Sequence, residues 1–188
     1  MKSTKHIALC LTAVLLAALL GACSMKKSYP EVDFVSLRGT VDSVLAGQTV
    51  YLVDPVTMQA EDSAVVDPAL HFSFSDLSRF RDRSAVRLLS ADYVIGSYHV
   101  PLTMPVVMEK GDLHVLFGED QAMTGSVLND DLNLFLSRLN YYVALSREKS
   151  PEEVRKAFSD YLKEFVRDND GNALGTYVKQ AYADKMLP

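Results

Sequence analysis

The chain has 188 residues, 19 Lys and Arg against 24 Asp and Glu, and a formal charge of −5. That acidic balance argues against nucleic acid, whose phosphates are bound by a surplus of Lys and Arg. Two cysteines, four histidines and no tryptophan leave little material for redox or metal chemistry.

Lys2 and Lys5 open the chain, and Ile7 to Ala22 is a nearly unbroken apolar run. At 16 residues it falls short of the roughly 18 that make a good spanning helix. A charged start, an apolar middle and small residues at the end are the order of an export signal. The run closes on Leu20-Gly21-Ala22-Cys23. This resembles the lipobox of bacterial lipoproteins, and the resemblance implies a signal peptide over residues 1–22. It also implies a Cys23 thiol alkylated with diacylglycerol and cut free as a new N-terminus. Each buried methylene adds about 0.8 kcal/mol of membrane affinity, so two or more long acyl chains such as palmitate hold firmly. Removing residues 1–22 takes Cys10, Lys2 and Lys5, and leaves 17 basic against 24 acidic side chains. The only remaining sulfur nucleophile is then Cys23 itself, under lipid. No disulfide is expected, so a hydrophobic core must hold the fold.

Residues 23–33 read as a lipidated tether. Met25-Lys26-Lys27-Ser28-Tyr29-Pro30 is polar and lacks periodicity. From Phe34 the pattern is of strands. Val35 to Val41, Thr49 to Val53, Ser63 to Val66 and His71 to Phe74 are short apolar segments bounded by Gly, Pro or Asp. Ser84 to Ser90 and Tyr93 to Val100 read as longer strands, followed by Val106 to Met108 and Leu113 to Phe117. The prolines are expected at strand ends, where a missing N–H does least harm. Seven or eight such strands over residues 34–125 predict an antiparallel β-sandwich.

Past Gly125 the period changes. Leu128, Leu132, Phe135, Leu139 and Tyr142 line one helical face, with Ser126 as cap. Ser150-Pro151-Glu152-Glu153 is a second helix start, and Val154, Ala157, Phe158, Tyr161, Leu162 and Phe165 form its stripe. Asn169-Asp170-Gly171 stops it, and a last stretch begins at Asn172. Residues 126–188 therefore read as two or three helices, and the fold class as α+β.

Five segments taken in order resemble the DUF4369 domain of Bacteroidetes lipoproteins. They are Leu37-Arg38-Gly39-Thr40-Val41, Gly47 to Leu52, Asp62 to Val66 with Phe72-Ser73-Phe74, Pro105 to Asp112, and Met123 to Asp130. The resemblance covers about 100 residues. It implies a lipid-anchored envelope protein, in a family whose domain often precedes a thioredoxin-like domain. This chain departs from that pattern, because no Cys-x-x-Cys is present and the chain stops at Pro188. The family's redox activity and catalytic residues are therefore not carried over. A separate thioredoxin-like protein becomes a candidate partner.

No motif argues for catalysis. His71, His99 and His114 each stand alone in a strand without ligand spacing, so no metal or other cofactor is expected. Glu119-Asp120 is an adjacent pair, and Asp130-Asp131 suits a helix start. Asp168-Asn169-Asp170-Gly171-Asn172 has its glycine at the wrong place for a calcium loop and reads as a helix stop. No G-x-S-x-G or Gly-rich phosphate loop occurs. Arg79, Arg81, Arg83 and Arg87 form the one basic cluster, read as a solvated loop in preference to an anion site. The tyrosines Tyr93, Tyr98, Tyr141, Tyr142, Tyr161, Tyr177 and Tyr182 read mostly as core with a hydroxyl at the rim. The sequence thus leads to a non-enzymatic binding or scaffold module held to a membrane by Cys23. The alternatives are an accessory subunit of a thioredoxin-like oxidoreductase, or an enzyme whose site is assembled across strands. No acidic cluster follows Cys23, so the expected address is the periplasmic side of the envelope, with the outer membrane favoured over the inner.

Overall fold

The computed structural model describes residues 27–95 and 98–187. The elements are β1 (Val35–Val41), β2 (Thr49–Val53), β3 (Ala60–Val65), β4 (His71–Phe74), β5 (Ala85–Ile95), β6 (Tyr98–Met108), β7 (Gly111–Phe117) and β8 (Ala122–Thr124). Three helices follow: α1 (Val127–Leu145), α2 (Pro151–Asp168) and α3 (Ala173–Ala181). The expected signal peptide and Cys23 lie outside the described residues.

Two four-stranded sheets, β4-β1-β7-β8 and β3-β2-β5-β6, pack face to face, and the expected α+β layout is present. One pairing departs from the antiparallel expectation. β1 and β7 run parallel, from Val35 opposite Gly111 to Val41 opposite Phe117. Alternation decides which side chains are inside. Leu37 and Val41 of β1, Phe72 and Phe74 of β4, and Leu113, Val115 and Phe117 of β7 fill the space between the sheets. Gly39 also points inward. A Cβ there would sit 2.3 Å from the Phe72 ring and 2.6 Å from a Val115 methyl, so the ring of Phe72 occupies the place of that missing side chain.

The second sheet is buried on both sides near the ends of β5 and β6. Leu89 and Met104 face the first sheet, whereas Val86 and Val107, of opposite parity, face away and are still buried. The helical layer supplies the cover, with α3 packed against β5. Each helix starts as its residues dictate. Ser126 accepts from Asn129 N, Asn172 from Gly175 N, and Ser150 with Glu153 closes a capping box. Gly171 at φ +83° turns the chain after α2, as the helix-stop reading of Asn169-Asp170-Gly171 requires.

Two strand expectations are corrected. Tyr93 to Val100 is not one strand: Ile95 pairs with Tyr98, so the chain reverses between them. Pro101 and Pro105 are not at strand ends but inside β6. They are tolerated because β6 is an edge. Gln121 Nε2 donates to the carbonyl of Thr103 (3.1 Å), and Asn129 bonds both backbone groups of Val107. Residues 103 and 107 therefore direct their N–H and C=O away from β5. Residues 101 and 105 share that parity, so a proline there removes no ladder bond.

The seam between the β6 and β8 edges is sealed by α1. Asn129 Oδ1 accepts from Val107 N (2.9 Å) and its Nδ2 donates to Val107 O (2.8 Å). One turn later, Asn133 Oδ1 accepts from Met123 N (3.2 Å) and its Nδ2 donates to Met123 O (2.5 Å). Each amide side chain completes a sheet edge as a neighbouring strand would, one edge from each sheet. Under the start of α1, Glu109 accepts from Leu128 N (3.2 Å). Burial pushes its carboxyl above the ordinary value, against hydrogen bonds from Ser126 and Leu128 that favour the charge. A raised folded-state pKa means stability present at low pH and lost as pH rises through that value. Glu109→Gln removes the charge, so its stability relative to the parent should climb as pH rises from the acid side of the ordinary carboxyl range toward neutral. Thermal melts across that range check this; a pH-independent difference would refute it.

Candidate functional site

Among the described residues no helix covers the outer face of the first sheet, which carries a polar cluster. Ser36 and Arg38 of β1 lie beside Asp112 and His114 of β7, and the parallel register places Ser36 opposite Asp112 and Arg38 opposite His114. All four point outward because they alternate with Leu37 and Leu113.

Asp112 is the centre. It accepts from Ser36 Oγ at 2.5 Å and from Arg38 Nη2, and it lies 3.2 Å from His114 Nε2. The Ser36 hydroxyl, then Arg38 and His114, hold its carboxyl below the usual carboxylate range, with burial opposing. His114 Nε2 lies 3.2 Å from Arg38 Nε as well, so the imidazole edge meets both the guanidinium and the carboxylate.

Ser36 donates to the Asp112 carboxylate, which its partners hold below the usual carboxylate range and so make a weak base. The geometry suits recognition instead. Arg38 and His114 are about half exposed. With Thr40, His71 and Ser73 they border a shallow depression of about 520 Å³. It offers guanidinium, imidazole and hydroxyl groups to a polar ligand.

Sequence reasoning missed this cluster by treating His114 as solitary. Asp112 and His114 are two apart in a strand, and that spacing alone puts them on one face. The partner pair on β1 is more than 70 residues away and could not be read from spacing.

The other candidates fall in separate places. His71 borders the depression, while His99 lies exposed on β6. Among the described residues no group of three His, Cys, Asp or Glu side chains could hold a metal ion. Glu119 N donates to Asp42 at 2.7 Å, Asp130 accepts from Tyr29, and Asp168 pairs with Arg167 at 3.0 Å. Of the arginines, Arg87 binds Glu61 (2.8 Å) and Asp54 (3.5 Å), Arg79 reaches Glu61 at 3.7 Å, and both guanidinium groups lie over Phe80. Arg81 pairs with Asp82 at 3.1 Å. Tyr142, Tyr161 and Tyr182 join Phe135, Phe158 and Phe165 in an aromatic cluster among the helices. Burial pushes Tyr161 and Tyr177 up to about 12, as expected of core tyrosines. Tyr141 is exposed at the edge of that cluster. The side chains of Tyr93 and Tyr98 lie outside the described residues. No family model, curated protein or solved structure matches the chain.

Proposed function

We propose that the protein is a lipid-anchored cell-envelope binding module without catalytic activity of its own, which presents the open sheet face around Arg38 and His114. One observation carries the reading: an apolar export signal ends on Leu20-Gly21-Ala22-Cys23, and the chain just after it is latched to the fold. Tyr29 donates to the Asp130 carboxylate, 2.9 Å from both oxygens, so the tether ends on the first turn of α1. The resemblance to DUF4369 lipoproteins supports the same address. Among the described residues no helix is long and apolar enough to cross a membrane. The periplasmic side of the envelope follows from the tether, which has no acidic cluster after Cys23.

Metabolic labelling with a fatty-acid analogue tests it. The parent should take up label, and Cys23→Ser should lose label, processing and membrane retention together. An unlabelled parent, or normal processing of the serine variant, would overturn the reading.

A second reading is favoured by the outer side of α1, where Leu134 and Tyr141 are exposed one above the other. On that reading the helices dock a separate thioredoxin-like protein. Crosslinking in intact cells through α1, followed by mass spectrometry, distinguishes the two: a stoichiometric thioredoxin-like adduct supports the accessory role.

A further inference from the structure

The tether enters at one end of the sandwich, and several loops meet there. Asp33 binds Lys110 in the β6–β7 turn at 2.6 Å, and Phe34 O accepts from Gly111 N at 2.9 Å. The β4–β5 loop is at the same end, since Arg81 is close enough to Asp33, and Asp82 to Lys110, for their charges to act on one another. Leu77 and Phe80 of that loop are buried and plug the sandwich, which leaves its arginines at the surface. The β2–β3 turn completes the rim: Asp54 is tied to Arg87, and Val56 shares a depression with Arg83.

This rim is apolar at its tips. Val56 is 73% exposed, Met58 63% and Phe34 51%. Between them stand Arg79, which Glu61 and the Phe80 ring already hold, Arg81 and Arg83. Asp82 partly neutralises Arg81, whereas among the described residues Arg83 makes no ion pair. Apolar tips set among guanidinium groups match a bilayer interface, where the tips reach the headgroup and acyl boundary and the cations meet lipid phosphates.

The covalent chain decides how near the bilayer must be. Only six peptide steps separate Cys23 from the latched Tyr29. Fully extended they span roughly 20 Å. A lipid on Cys23 thus holds this rim, and not the opposite end, within reach of the headgroups. We infer that the rim formed by Phe34, Val56, Met58 and the Arg79–Arg83 loop docks on an anionic phospholipid surface and sets the orientation of the domain. The inference rests on the anchor proposed above. It goes further by naming the face that touches lipid. The Arg38 and His114 face then stands upright from the membrane, because the strands run from this rim toward the far end.

The protein contains no tryptophan, so single-tryptophan variants report position cleanly. The mature, acylated full chain is reconstituted in vesicles of phosphatidylethanolamine and phosphatidylglycerol with brominated acyl chains. Phe34→Trp and Val56→Trp should lose emission by about twofold or more, as expected for residues at the headgroup boundary. Val65→Trp at the opposite end and Leu134→Trp on α1 should keep theirs. Quenching at position 134 instead of 56, or equal emission at all four positions, overturns the docking. Intact mass of the same sample reads acylation separately. A missing acyl mass overturns the anchor and this docking with it. An acyl mass present without the quenching difference overturns the docking alone.

Discussion

Replacing Asn129 by alanine should lower the unfolding free energy by about 3 kcal/mol, because it leaves the buried N–H and C=O of Val107 without partners at once. Asn129 is fully buried, and its amide holds Val107 through two bonds and the Ser126 hydroxyl through a third, at 2.8 Å. Its location matters as much as its count of bonds. The amide stands in for a strand at the β6 edge, so its loss exposes backbone groups that a second chain can pair with. Two readouts follow from one variant: the urea midpoint should fall, and size-exclusion should show self-association growing with concentration. Asn129→Asp is the informative companion. A carboxylate can still accept from Val107 N–H, but it has no donor for Val107 C=O, so it should recover little. A loss below about 1 kcal/mol for the alanine variant would mean that water or a shifted helix replaces the amide, and the sealed-seam account would fail.

Phe135→Ala should cost about 4 kcal/mol, in the range of large aromatic truncations in cores. Phe135 is fully buried, with ring centroids 4.7 Å from Phe165, 5.5 Å from Tyr182 and 6.1 Å from Tyr161. It lies two residues from Asn133, on the helix that also closes both sheets. The mutation therefore loosens helix packing and strand edges together. Helical and aromatic circular dichroism should report one shared transition at a lower denaturant concentration. If the helical signal melts first and leaves the sandwich standing, residues 126–188 are an independent appendage and not part of one cooperative unit.

The relation between α1 and the sheets also shows what kind of information each level holds. The caps of the first two helices were legible, since Ser126 and Ser150 with Glu153 act through residues three positions away. So was the core stripe of α1, with Leu132 and Phe135 buried as spacing demands. Position alone marks Asn129 only as a favourable first-turn residue. Its work on β6 depends on a strand 22 positions back, which no helical period reveals. Ser159 is similar: it sits in an apolar stripe, fully inside, because its hydroxyl accepts from Leu187 N at 2.7 Å near the end of the described chain.

Strand boundaries failed where a local signal was outweighed. Gly96-Ser97 is a glycine-led pair of the kind that closes two-residue hairpins, yet the β-branched and aromatic residues around it read as one strand. The two prolines of β6 looked like terminators because proline cannot join a central ladder. Only the order of the sheet shows that β6 is an edge.

By itself the amino-acid sequence determined the α+β layout, most of the strand segments and the helix starts, and it supports the proposed anchor at Cys23. Those depend on periodicity, on caps and on one short motif, all local in the chain. The tertiary structure alone decided that β1 runs parallel to β7, that Asn129 and Asn133 close two different sheet edges, and that Asp112 gathers Ser36, Arg38 and His114. Pairing between strands 76 residues apart has no signature in either segment. It is selected by how all the apolar faces can be buried together, and that is a property of the whole chain.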